Sequence, residues 1–187
     1  MSWQIEWSLL MFNASEEAHR LLREAVQTGD LVVDATMGNG HDTVYLAKLG
    51  ARVVSFDIQP HAFANTAQNL QENGLKAELH VMGHERLKEV VKEPVRAAIF
   101  NLGYLPGSDK RLQTRPETTI AALEALVDLL EVHGRIVLVL YRGHDAGQEA
   151  DEIIAWAGHL SKTHWQSLLT DIINHEAASV LCLEKLR

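Results

Sequence analysis

Asp34 closes an apolar, β-branched run at residues 31–33; glycines follow at 38 and 40, and a second carboxylate, Asp57, lies 19 residues beyond Gly38. Glycines at the end of a strand let the backbone come close to a bound group, and a helix opening just after them, near Thr43, presents unpaired N–H groups. An acid at the end of the following strand, about 20 residues on, is placed to receive ribose hydroxyls. The chemistry implied is the holding of a nucleotide-like ligand.

The dinucleotide fingerprint G-x-G-x-x-G is incomplete, because Thr43 stands where a third glycine belongs. With Asp34 four residues before the first glycine, the spacing suits S-adenosylmethionine better than NAD. A second cluster, Asn101-Leu102-Gly103-Tyr104, ends another apolar run. It resembles the Asn-Pro-Pro-Tyr motif of amino methyltransferases, in which the Asn oxygen and a backbone carbonyl accept hydrogen bonds from the target amine while the aromatic ring stacks on the base. Leu-Gly replaces the two prolines and gives up their rigidity.

Elements that could position these groups follow a regular period. Ser15 with Glu16 and Glu17 reads as an N-cap and first turn, and Ala18, Leu21, Leu22, Ala25 and Val26 recur at helical spacing. After the glycine turn come a short helix to Leu49, a strand at 51–57, and a helix opened by Pro60. A strand at 76–82, a helix at 86–92 and a nearly all-apolar strand at 95–101 come next. Residues 103–116 break the rhythm with Gly103, Pro106, Gly107 and Pro116 around Asp109, Lys110, Arg111 and Arg115. Beyond them lie a helix at 117–131, a strand at 135–141, a helix at about 146–157, and strands at about 167–173 and 179–183 joined closely enough for an antiparallel hairpin. Strands alternating with helices predict an α/β fold: a doubly wound, mostly parallel seven-stranded sheet with an antiparallel C-terminal strand and helices on both faces, similar to the class I methyltransferase (Rossmann-like) fold.

With 187 residues, 47% of them hydrophobic, and a mean hydropathy of -0.08, the chain can bury one good core, so a single domain over 1–187 is expected, with 1–13 an apolar arm carrying Trp3 and Trp7. Glu6 precedes any basic residue and no uncharged apolar run approaches the roughly 18 residues of a membrane span, which predicts a cytoplasmic protein without membrane insertion. The lone cysteine, Cys182, excludes an internal disulfide and reads as a small buried hydrophobe. A formal charge of -8 argues against a generally basic nucleic-acid-coating surface but leaves room for a local patch. The histidines at 133, 144, 159, 164 and 175 show no ligand spacing, and no metal is expected.

Taken together, DATMGNGHDT at 34–43, FDIQ at 56–59 and NLGYLPGSDK at 101–110 resemble the bacterial and plant family first described as putative rRNA methylases, whose characterised members are tRNA 5-aminomethyl-2-thiouridine methyltransferases. The resemblance runs from about Ala14 onward. It implies transfer of a methyl from S-adenosylmethionine to the aminomethyl nitrogen of the wobble uridine, with the tRNA anticodon stem-loop as partner. It also implies that Asn39, Asp42, Asp57 and Gln59 hold the cofactor, Asp57 at the ribose and Asn39 with Asp42 near the methionyl part. Gly38 and Gly40 form the turn itself.

Several assignments stay open on sequence alone. Asp34 either orders the glycine turn or touches the donor; His84 either contacts the adenine or is an exposed helix-start histidine. Asn101 and Tyr104 are the catalytic pair, and Lys110, Arg111 and Arg115 form the candidate phosphate patch. Arg142 and His144 could line the substrate mouth. No residue stands out as the general base, with Asp109 and His144 as candidates. Rival functions are methylation of rRNA, of a small-molecule amine or of a protein amine, NAD-dependent dehydrogenation, and a non-catalytic binding module. A homodimer through the apolar arm is a further expectation.

Overall fold

Helical and strand signals resolve into a layered α/β structure in a computed structural model that describes residues 13–103, 114–143, 146–171 and 178–187. In chain order the elements are α1 (Ala14–Ala25), β1 (Leu31–Asp34), α2 (His41–Lys48), β2 (Arg52–Asp57), α3 (Pro60–Glu72) and β3 (Glu78–Val81). A 3-10 turn (His84–Glu89) leads to β4 (Val95–Asn101), then α4 (Pro116–Leu129), β5 (Leu130–Leu140), α5 (Gln148–Gly158), β6 (Trp165–Thr170) and β7 (Ser179–Lys185). The strands form one sheet in the order β3-β2-β1-β4-β5-β7-β6. The first five are parallel, and β7 runs antiparallel to both β5 and β6.

Period-2 alternation along the central strands feeds two apolar layers, one on each face of the sheet. Val33, Ala98, Phe100 and Leu138 pack with α4 and α5, whereas Val32, Ala97, Ile99 and Val137 pack with α1 and α2. β4 needs its continuous apolar run because both its faces are covered. Chain order reverses at β1 and β4, so the carboxyl ends of those strands diverge and leave a crevice where α/β sheets bind ligands.

Several boundaries differ from those the sequence predicts. Asn13, not Ser15, caps α1: its Oδ1 accepts from the backbone N–H groups of Ser15 and Glu16, at 3.0 and 3.4 Å. The expected helix at 86–92 is only a 3-10 turn beginning at His84, and β3 is shorter than its apolar run because it lies at the sheet edge. β5 begins directly after α4, five residues earlier than expected. A bulge permits this: His133 has φ 63, the register shifts between Val95 and Ala97, and a Cβ on Gly134 would lie 2.7 Å from the Arg96 carbonyl oxygen. Cys182 is buried in β7, where burial pushes its thiol up to about 11.

Candidate functional site

The crevice at the sheet reversal is a cavity of about 790 Å³, walled by the ends of β1, β2 and β4 and by the segments that follow them. Its floor is the glycine turn, which side chains brace from both sides. The Gly38 N–H donates to Asp57 Oδ2 at 3.0 Å, and the Gln59 N–H donates to Asp57 Oδ1 at 2.9 Å. Asp57 therefore uses one acceptor site on each oxygen and keeps others for a ligand. From α3, Asn69 donates to the Asn39 carbonyl at 2.6 Å, Asn65 to Asn39 Oδ1 at 3.0 Å, and Thr66 to the Gly38 carbonyl at 3.3 Å. None of these three bracing residues carries a sequence motif.

Asp34 and Gly40 support the turn from behind and are not on the cavity wall. Asp34 is fully buried, accepting from the Thr36 N–H at 3.1 Å and the Thr43 hydroxyl at 2.6 Å. These bonds tie the turn to the strand end, the first of its two readings. Burial, with the charge of Asp42 adding to it, pushes the Asp34 carboxyl up to about 7. Gly40 is required by helix packing: at φ 83, a Cβ there would sit 2.9 Å from the Thr66 Cα.

Gln59 and His84 complete the inner wall. His84 is 7% exposed, not the exposed helix-start residue of the alternative reading. Its Nδ1 lies 3.0 Å from the Ala35 carbonyl, which can only accept, so Nδ1 carries the proton and Nε2 offers a lone pair. The ring sits edge-on to Phe100, and burial holds its pKa below the usual histidine value. His84 Nε2 and Gln59 Oε1 are buried with no partner among the described residues. Two orphaned acceptors beside the Asp57 carboxylate call for a ligand rich in donors, since a buried unsatisfied polar group costs about 1–3 kcal/mol. An adenosine, with an exocyclic amine and two ribose hydroxyls, fits that demand.

At the mouth, Asn101 ends β4. Its N–H donates to the Thr36 hydroxyl at 2.7 Å, and its Nδ2 to Asp42 Oδ2 at 3.3 Å. The amide is thereby oriented, Oδ1 being the end turned away from Asp42. Asp42, in the first turn of α2, also meets His19 Nε2 from α1 at 2.6 Å. His19 stacks on Tyr45 at 3.8 Å, and the Tyr45 hydroxyl donates to the His19 carbonyl at 3.0 Å. This upstream histidine was not foreseen, because nothing in its local spacing marks it. Tyr141, after β5, lies on the wall.

Of the expected substrate contacts, Arg115 caps α4 at the cavity rim. Arg142 does not line the cavity: its guanidinium pairs with Asp151 of α5 at 2.6 Å. Tyr104, Asp109, Lys110, Arg111 and His144 lie outside the described residues. Gly103 and Thr114 pair with each other, the Thr114 N–H donating to the Gly103 carbonyl and the Gly103 N–H to the Thr114 hydroxyl, each at 2.9 Å. That hydroxyl in turn donates to Glu149 of α5 at 2.6 Å. Among the described residues no group of three His, Cys, Asp or Glu side chains could hold a metal ion, and no helix is long and apolar enough to cross a membrane.

Comparison with known proteins agrees with this geometry. A family profile described as putative rRNA methylase matches residues 53–184. The "tRNA (mnm(5)s(2)U34)-methyltransferase, chloroplastic" of Arabidopsis thaliana is 37% identical over 90% of this chain and 67% of its own. A crystal structure of a putative rRNA-methylase from Clostridium thermocellum superposes with a TM-score of 0.90 at 38% identity, covering 94% of this chain and 99% of that one. A putative methyltransferase from Streptococcus mutans, crystallised in complex with SAH, gives 0.88 at 34% identity over 95% and 100%. Matched over most of its length in sequence and fold, the chain belongs to the putative rRNA methylase family of class I methyltransferases.

Proposed function

We propose that the protein is an S-adenosylmethionine-dependent tRNA methyltransferase that methylates the aminomethyl nitrogen of 5-aminomethyl-(2-thio)uridine at the anticodon wobble position. The observation that carries this reading is the oriented amide of Asn101, an acceptor fixed by Asp42 at the mouth of a cavity whose inner wall presents orphaned acceptors. The Arabidopsis relative is named for a wobble uridine of the same kind.

In this reading Asp57 takes the ribose hydroxyls, His84 Nε2 and Gln59 Oε1 take the remaining adenosine donors, and Asn39 with Asp42 lies toward the methionyl end. Bound there, S-adenosylmethionine supplies a methyl already activated by its sulfonium. The protein's own work is positioning and proton removal. Asn101 Oδ1 accepts an N–H of the target amine and aims the nitrogen lone pair, and Tyr104 stacks on the base. Lys110, Arg111 and Arg115 meet backbone phosphates of the tRNA.

Deletion of the gene, followed by mass spectrometry of tRNA nucleosides, tests the reading. The methylaminomethyl uridine should vanish and its unmethylated precursor accumulate. An unchanged tRNA profile with a missing methyl in ribosomal RNA would replace it with the rRNA reading.

A further inference from the structure

We infer that Asp42 is the group that takes the proton from the substrate ammonium, and that His19 of α1 is the positioning residue holding its carboxylate for that purpose. This rests on the amine reading of the site. A primary ammonium with an intrinsic pKa near that of lysine, about 10.4, is almost entirely protonated at neutral pH and has no lone pair to donate. Something at the mouth must therefore accept a proton, and Asn101, an amide, cannot.

Asp42 is the carboxylate in contact with Asn101 there. It lies on the cavity wall yet is only 6% exposed, so its charge is poorly screened. Both its oxygens are anchored, Oδ1 by His19 Nε2 at 2.6 Å and Oδ2 by Asn101 Nδ2 at 3.3 Å, and each retains an acceptor site. His19 is itself held by its stack on Tyr45 and by the Tyr45 hydroxyl on its carbonyl. The same Asp42 and Asn101 thus present an acceptor for the departing proton beside an acceptor for a remaining N–H.

Other ionisable groups around Asp42 are Asp34 behind it on β1, whose own carboxyl burial pushes up to about 7, and Tyr141 after β5, whose phenol burial pushes up. Neither competes: Asp34 is off the wall, and a phenol so raised keeps its proton at neutral pH. The step balances simply. One N–H bond of the ammonium breaks, its electron pair stays on nitrogen, and an O–H bond forms on Asp42. That pair then forms the new N–C bond as the donor's S–C bond breaks with its electrons left on sulfur, and Asp42 loses its proton to water once the product leaves the open mouth.

Single-turnover methylation of tRNA carrying aminomethyl uridine, measured with the full-length protein from pH 6.5 to 9.5, tests this. Asp42→Asn should be slower by a hundredfold or more at pH 7, in the range of a lost general base, and its deficit should shrink by up to tenfold per pH unit as free amine accumulates. Rates are taken at saturating S-adenosylmethionine, so that a loss of cofactor affinity at this wall residue does not enter, and the preference for an aminomethylated over an unmodified anticodon stem-loop in equilibrium binding should fall. His19→Ala should show the same pH-dependent deficit in milder form, and His19→Gln, which keeps an N–H donor, should recover most of it. Should Asp42→Asn fail to fold, the His19 pair decides on the same signature. Wild-type rates in both variants, or deficits equal at every pH, overturn the proton-acceptor role. A wild-type enzyme inactive on this tRNA overturns the amine reading itself, and the inference with it.

Discussion

Asp34 sits behind the glycine turn, fully buried and off the cavity wall. Its carboxyl, ordinarily near 3.8, is pushed up to about 7, so the folded protein keeps a proton that the unfolded chain has released. Folding therefore binds a proton between those values, and the contribution of Asp34 to stability falls as pH rises through the window. Asp34→Asn mimics the neutral acid, and the Thr43 hydroxyl can turn its donor to Ser55, 3.0 Å away, to accept from the new amide. The variant's melting temperature should gain on the wild type between pH 5 and pH 8; a constant gap would show that Asp34 folds charged. Asn101→Ala should act differently, leaving S-adenosylmethionine affinity nearly intact while kcat falls by about tenfold to a thousandfold, equivalent to roughly 1.4–4 kcal/mol of alignment lost at the transition state. That Asp57, Gln59 and His84 meet on one cavity wall was legible in part, Asp57 from its interval after the glycines and the other two from resemblance. The support roles of Asp34 and Gly40 were less so, because residue type and interval do not say which side of a turn faces the ligand. His19 was illegible, since its contact with Asp42 spans 23 residues and depends on how α1 lies across the sheet.

Among the elements, the approach of α2 to α3 sets the shape of the glycine turn. A methyl at Gly40 would lie 2.8 Å from Thr66 Oγ1 and 2.9 Å from its Cα, at a φ of 83 that disfavours any Cβ. Gly40→Ala should destabilise the protein by about 1–3 kcal/mol in urea titration. Adding Thr66→Ala should not restore it, because the clash with the Cα remains; full recovery in the double variant would mean that the helices can separate freely. Helix and strand periodicity located both helices, but their closeness is a matter of tertiary packing. The early start of β5 was hidden for a similar reason. His133-Gly134 falls between the expected helix and the expected strand, whereas in the sheet it is a bulge that lets the strand continue.

At the scale of the whole molecule, the alternation of strands and helices is enough to predict the doubly wound sheet, and the order reversal at β1 and β4 then fixes where the cavity opens. Charge poses a harder question, since under the proposed function a protein of net charge -8 would have to engage a polyanion. A local contact at the rim would answer it, and Arg115 is the described residue placed for one. Arg115→Glu should raise the KM for tRNA several-fold and reduce the slope of log affinity against log salt by about 1, with cofactor affinity unchanged. An unchanged salt slope would place the RNA path elsewhere.

The central claim is the identity of the methylated atom. Purified protein, isotopically labelled S-adenosylmethionine and tRNA bearing 5-aminomethyl uridine should yield one labelled nucleoside, with the label on the aminomethyl nitrogen by fragmentation. Label on a ring or ribose atom, or transfer only to ribosomal RNA, would contradict it.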